Sequence, residues 1–192
     1  MTAIKICGLM TAADVAAVNQ YQPDYAGFVF AHGRHQLTVP TASKLIQQLD
    51  ANITPVGVFM NNDIDLILAA VRAGIKIVQL HGNEPDAIIA LLQERGVQVI
   101  RVFKAPLPAV ANTPADYAML DAGAGSGQQL DWQNLPTSNK PVFLAGGITP
   151  ANVAAAITAV HPYAVDVSSG VETAGKKDPA LIAAIIASAH KH

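Results

Sequence analysis

The chain has 192 residues, enough to bury a sizeable core within one domain. Hydrophobic residues make up 51% and charged residues only 14%, against roughly 25% charged in an average protein, so a disordered or heavily solvated chain is excluded. A formal net charge of −2 with no basic run argues against nucleic acid and anionic membrane as partners, and no apolar run approaches the ~20 residues of a membrane span.

Strand-like and helix-like runs alternate along the chain. The strand-like runs are AIKICGL (3–9), YAGFVF (25–30), TPVGVFM (54–60), IKIVQLHG (75–82), VQVIRVF (97–103), YAMLDA (117–122), PVFLAGG (141–147) and YAVDVSSG (163–170). Helical stretches rich in Ala, Leu and Ile lie between them at 11–20, 40–50, 63–73, 84–95, 149–159 and 178–190. After the fifth and sixth strands, 104–116 and 123–140 are rich in Pro, Gly and Asn and predict short or irregular connections. Strands joined by crossovers imply a parallel sheet, and eight of them are the number that closes into a (β/α)8 TIM barrel. We therefore expect an α/β fold: one minimal barrel domain spanning 1–192. An open doubly wound sheet is the alternative. It calls for a glycine-rich loop after the first strand, where CGLMTAAD offers one glycine.

A barrel places its chemistry at the carboxyl ends of its strands, and the period of two then picks out the inward side chains. Lys5 and Cys7 share a face on the first strand, Gln79 and His81 on the fourth, Met119 and Asp121 on the sixth, and Ala164, Asp166 and Ser168 on the eighth. Barrel interiors favour branched apolar residues, so polar groups at four strand ends mark a site. Cys7, the only cysteine, is by its neighbours alone better suited to packing than to chemistry. Having no disulfide partner, it fits a reducing cytosol, and MTAIKICGLM has no secretory h-region; a cytoplasmic setting is expected.

Towards the end of the chain, AGGITPANV (145–153) puts Gly146 and Gly147 at a strand end, with Thr149 as N-cap and Pro150 opening a helix. DVSSGVE (166–172) adds Ser168, Ser169 and Gly170. Glycines that admit close approach, followed by a helix N-terminus, form an anion site, and the loops after strands seven and eight are where many barrels hold phosphate. A small phosphorylated molecule is the expected partner; nothing in the sequence sets the oligomeric state.

KICG, GFVF, VGVFMN, VQLHGNE, LD followed by GSGQQLDW, AGGITPANV and DVSSGVE…GKKD, in that order from Lys5 to Asp178, resemble the phosphoribosylanthranilate isomerase family of tryptophan biosynthesis. The resemblance implies a TIM barrel without cofactor or metal that carries out an Amadori rearrangement, turning N-(5-phosphoribosyl)anthranilate into an amino-ketose. It also implies that Cys7 is the general base and Asp121 the general acid. The acid must be protonated when it acts, so apolar surroundings are expected to raise the pKa of Asp121, while a thiol near ~8.5 can ionise near neutral pH.

Four further residues are open. Lys5 and Asp166 lie on strands that become neighbours on closure, so Asp166 either pairs with Lys5 or meets substrate. His81 either touches substrate or is structural. Members of the family usually follow GFVF with a serine and a basic pair whose arginine holds the anthranilate carboxylate; here AHGRHQLT offers Arg34 and His35 for that role. Gln128 and Gln129 stand where a Lys-Thr-like pair is usual, in a shortened glycine-rich loop, AGAGSGQQ. Competing readings are a related sugar-phosphate isomerase of histidine biosynthesis, which uses carboxylates at both catalytic strand ends, the α subunit of tryptophan synthase, and an inactive phosphate-binding barrel serving as a partner subunit.

Overall fold

The strands close on one another in chain order. The computed structural model describes residues 2–108, 111–123 and 130–191. Its parallel strands are β1 (Ala3–Cys7), β2 (Tyr25–Val29), β3 (Thr54–Phe59), β4 (Ile77–Leu80), β5 (Gln98–Lys104), β6 (Tyr117–Asp121), β7 (Val142–Leu144) and β8 (Ala164–Val167). They form a closed barrel in which β8 returns to β1, with Lys5 opposite Asp166. Among the described residues six α-helices cover it: α1 (Ala12–Tyr21), α2 (Val39–Ile46), α3 (Ile64–Arg72), α4 (Asp86–Gln93), α5 (Val153–Val160) and α6 (Pro179–Ala189). Between β5 and β7 the described residues contain no α-helix, as the Pro- and Gly-rich composition leads one to expect. Most of the glycine-rich loop, Gln128 and Gln129 included, lies outside the described residues. No described helix is long and apolar enough to cross a membrane.

Alternation along the strands builds two cores. Outward residues such as Ile4, Ile6, Phe28, Val78, Leu80, Val99 and Val165 pack under the helices. Inward residues Tyr25, Val56, Ile77, Ile100, Val102, Met119, Phe143 and Ala164 fill the barrel itself. At its amino end, Tyr25, Tyr117 and Tyr163 surround Phe143 with ring centroids 5.3 to 5.6 Å apart, and the Tyr25 and Tyr163 hydroxyls are 3.0 Å apart. Burial and that hydroxyl contact push the Tyr25 phenol up, so it is neutral at any working pH.

Local chemistry sets the helix starts. Thr11 and Asp14 make a reciprocal capping box on α1, Thr38 caps α2, and Asp178 accepts from the N–H groups of Ala180 and Leu181 on α6. The expected start of α5 is corrected. Thr149 and Pro150 lie in a lead-in turn, and the helix begins at Val153. The Thr149 side chain makes no cap; instead Asn152 Oδ1 accepts from the Thr149 N–H at 2.8 Å, and Asn152 Nδ2 donates to the Gly147 carbonyl at 2.9 Å. Asn152 thus holds the glycine pair against the helix. A second difference lies after β8: Ser169–Val171 turns as one 3-10 helix, followed by a hairpin of β9 (Glu172–Thr173) and β10 (Lys176–Lys177).

Candidate active site

The candidate catalytic, substrate-binding and phosphate-binding residues line one cavity of about 510 Å3 at the carboxyl end of the barrel: Cys7, Arg34, His35, His81, Asp121, Gly146, Gly147, Asp166, Ser168, Ser169 and Gly170. Strand parity explains the convergence, because Cys7, Gln79, Asp121 and Asp166 all continue inward columns whose lower members are core.

Cys7 ends β1 and is buried. Below it, Lys5 is fully buried and its Nζ donates to Asp166 Oδ1 at 2.8 Å. Burial would pull the Lys5 pKa down, but the Asp166 carboxylate and the Cys7 sulfur outweigh it and raise the value, so Lys5 is an ammonium. Burial pushes the Cys7 thiol up; Lys5 opposes that shift without reversing it. Lys5 does not reach the cavity, whereas Asp166 does, so Asp166 both pairs with Lys5 and faces the cavity.

Asp121 ends β6 and is also buried. The expectation that its pKa is raised is corrected. Burial pushes it up, but His81 Nε2 at 3.3 Å, the Gly123 N–H at 3.1 Å and the charge of Lys104 together hold it below the usual carboxylate range. His81 is placed by its loop: the buried Glu84 carboxylate accepts from the N–H groups of Asn61 at 2.7 Å and Gly82 at 3.0 Å, tying the loops after β3 and β4 together.

Gln79, read in the sequence as an inward polar residue, takes part in the site, and two further participants, Lys104 and Glu172, were missed. Gln79 is buried with Nε2 3.5 Å from His81 Nδ1, while its Oε1 has no partner among the described residues; a buried amide oxygen facing a cavity calls for a donor from a ligand. Lys104 lies opposite Asp121 across β5 and β6, and the parity Ile100, Val102, Lys104 was signal enough to find it. Glu172, just past the loop after β8, has no comparable local signal. It binds Arg34 Nη2 at 2.6 Å and lies 3.0 Å from His35 Nε2, so both candidates for the carboxylate share one partner. Burial and Lys177 hold His35 below the usual imidazole range against the pull of Glu172, so it is neutral at pH 7.

Also lining the cavity, Gly146 has φ +90°, and a Cβ there would lie 2.6 Å from the backbone nitrogen of Ala122. A Cβ on Gly170 would collide with the Ile148 carbonyl oxygen, so the loops after β7 and β8 touch only because position 170 is glycine, while Gly146 lets the loop after β7 approach Ala122 at the end of β6. Their approach makes a shallow cradle of backbone and serine hydroxyls.

A closed barrel with a carboxylate, a thiol and two glycine-bearing loops around one cavity at its strand ends has the architecture of the class of (β/α)8-barrel enzymes. The model of the N-(5′-phosphoribosyl)anthranilate isomerase family matches residues 4–188. The chain is 50% identical over 197 residues to the N-(5′-phosphoribosyl)anthranilate isomerase of Lactiplantibacillus plantarum, covering 100% of this chain and 93% of the relative. It superposes on the solved Thermus thermophilus enzyme with a TM-score of 0.88 at 30% identity, covering 99% of each chain. A further solved member, in complex with reduced 1-(o-carboxyphenylamino)-1-deoxyribulose 5-phosphate, gives a TM-score of 0.82 at 30% identity and covers 100% of each chain. The chain belongs to the N-(5′-phosphoribosyl)anthranilate isomerase family and is an isomerase of tryptophan biosynthesis.

Proposed function

We propose that residues 1–192 form one catalytic barrel domain that converts N-(5′-phosphoribosyl)anthranilate to 1-(2-carboxyphenylamino)-1-deoxyribulose 5-phosphate, with Asp121 as acid and Cys7 as base. The observation that carries this reading is the placement of both at inward strand ends of one cavity, between an anion cradle and an arginine. Asp121 gives its proton to the furanose oxygen, and the ring opens to a C1 iminium. The Cys7 thiolate takes the proton from C2, and the electron pair moves to form the enolamine. Return of a proton to C1 and loss of one from the C2 hydroxyl give the ketose, with no net redox change. The Lys5 ammonium stabilises the thiolate as it forms.

The substrate's two anionic ends suit the two ends of the cavity. Gly146, Gly147, Ser168, Ser169 and Gly170 take the phosphate through backbone N–H groups and hydroxyls. Arg34 takes the carboxylate. Its fork is always charged, whereas a neutral His35 brings no charge to the contact. His81 orients Asp121, Asp166 faces the ribose, and Gln79 Oε1 accepts a ribose hydroxyl. The lone cysteine supports a reducing, cytoplasmic setting.

Loss of phosphoribosylanthranilate fluorescence with purified protein tests the activity. Cys7→Ser and Asp121→Asn are expected to bind substrate and each to lose roughly 10²- to 10⁴-fold in kcat, the range for a general acid or base. Near-normal turnover in either variant removes that residue from the mechanism.

A further inference from the structure

Behind the cavity wall runs a chain of charge contacts that joins the two ends of the proposed substrate site. Glu172 is withdrawn from solvent, its side chain 4% exposed, and does not line the cavity. Its Oε2 receives Arg34 Nη2 at 2.6 Å, and its Oε1 lies 2.7 Å from Lys177 Nζ and 3.0 Å from His35 Nε2. Lys177, 2% exposed, also donates to the Ser168 carbonyl at 3.0 Å, inside the phosphate cradle. The β9–β10 hairpin sets Lys177 directly opposite Glu172, so register alone brings the pair together. Arg34, by contrast, is 55% exposed and lies on a loop, where a long side chain has many rotamers.

We propose that Glu172 is a positioning residue: it holds the Arg34 fork at a set distance from the phosphate cradle, with Lys177 and the Ser168 carbonyl as the strut. The proposal rests on the reading that Arg34 binds the substrate carboxylate. Arginine carries five N–H donors, and Glu172 engages one Nη atom, so the fork keeps donors for a ligand. A ligand with a carboxylate at one end and a phosphate at the other is read by the separation of two subsites, and an arginine already ordered need not be ordered by binding. The strut costs little flexibility elsewhere, because Lys177 and Glu172 neutralise each other where both are buried.

The test measures KM, kcat and the inhibition constant of inorganic phosphate for wild type, Glu172→Gln, Arg34→Ala and the double variant. Glu172→Gln is expected to raise KM about tenfold, the scale of one lost charge-assisted contact, with kcat and phosphate inhibition nearly unchanged. In the Arg34→Ala background it is expected to add almost nothing. A merely structural role would move phosphate inhibition along with KM and act regardless of Arg34; either result overturns the proposal. So does a KM that stays level or falls in Glu172→Gln while Arg34→Ala is impaired. If Arg34→Ala is itself close to wild type, the carboxylate reading fails and the proposal falls with it, a result separable from failure of the strut alone. Should Glu172→Gln not fold, because Lys177 is left without its counter-charge, Glu172→Gln/Lys177→Met removes both charges and the cycle against Arg34→Ala is read in that background.

Discussion

The two ends of the barrel draw on the same inward columns of side chains and use them differently. At the amino end, Tyr25, Tyr117, Phe143 and Tyr163 close the interior with rings, and the Tyr25 and Tyr163 hydroxyls meet each other. At the carboxyl end the columns continue as Gln79, Asp121 and Asp166, with Cys7 above Lys5, and leave a cavity of about 510 Å3. The first end gains stability from area removed from water; the second keeps charged groups in pairs and, in Gln79 Oε1, a buried acceptor with no partner among the described residues. Fold and chemistry are therefore separable along one axis, and mutations at the two ends should register in different measurements.

The largest expected effect lies at the ring end. Phe143→Ala removes a fully buried aromatic and should cost about 3–5 kcal/mol in urea unfolding. Below the unfolding transition its kcat/KM should stay close to wild type. A loss of turnover with the fold intact would show that the two ends are coupled through the column Phe143–Ala145.

Next in size is the mouth of the cavity. Arg34→Ala should lose about 2–3 kcal/mol in kcat/KM, chiefly through KM, with the unfolding midpoint unmoved because the side chain is exposed. His35→Ala should lose clearly less. Assays of wild type and both variants at pH values descending from 6.5 sharpen the assignment: a wild-type KM that rises with pH below that value, where the depressed His35 loses its proton, would transfer the carboxylate contact to His35.

Tyr25→Phe deletes the hydroxyl contact with Tyr163 and little else. A loss of about 1 kcal/mol, roughly 2–4 °C in Tm, is expected, with unchanged kinetics. A neutral result would place the stability of this end in ring packing alone.

The smallest expected effect is a flat pH profile. The acid must be protonated and the base ionised, yet His81, the Gly123 N–H and Lys104 hold the Asp121 carboxyl below the usual carboxylate range and burial pushes the Cys7 thiol up, so the two pKa values are driven apart. Between those two limits a unit rise in pH multiplies the thiolate share about tenfold and divides the protonated Asp121 share by the same factor. The productive form is thus a minor but constant fraction. Once the substrate phosphate's own ionisation near ~6 is allowed for, kcat/KM should fall only below the lower limit and above the upper one. An inflection near neutral pH would mean that one of the two groups is not in the rate-determining proton transfer.

The eight strands, their inward faces and the glycine-rich turns were legible in the sequence, because each is written in residues close together in the chain. Period-two alternation placed Cys7, His81, Asp121, Asp166 and Ser168 on the cavity side before any coordinates, and the same rule applied to Ile100 and Val102 would have added Lys104. Adjacency of the first and last strands anticipated the pairing of Lys5 with Asp166. The ionisation of Asp121 was not legible, because its sign is a balance between burial and charges delivered from β4 and β5. The start of α5 was misplaced because Asn152, not Thr149, makes the side-chain contacts that close the lead-in turn. Glu172 escaped notice for a related reason: Arg34 lies 138 residues away and meets it only when the last hairpin folds over the loop after β2. Local pattern determined which residues face the site; closure of the barrel decided which charges stand beside one another, since electrostatic balance depends on distances that exist only in the folded chain.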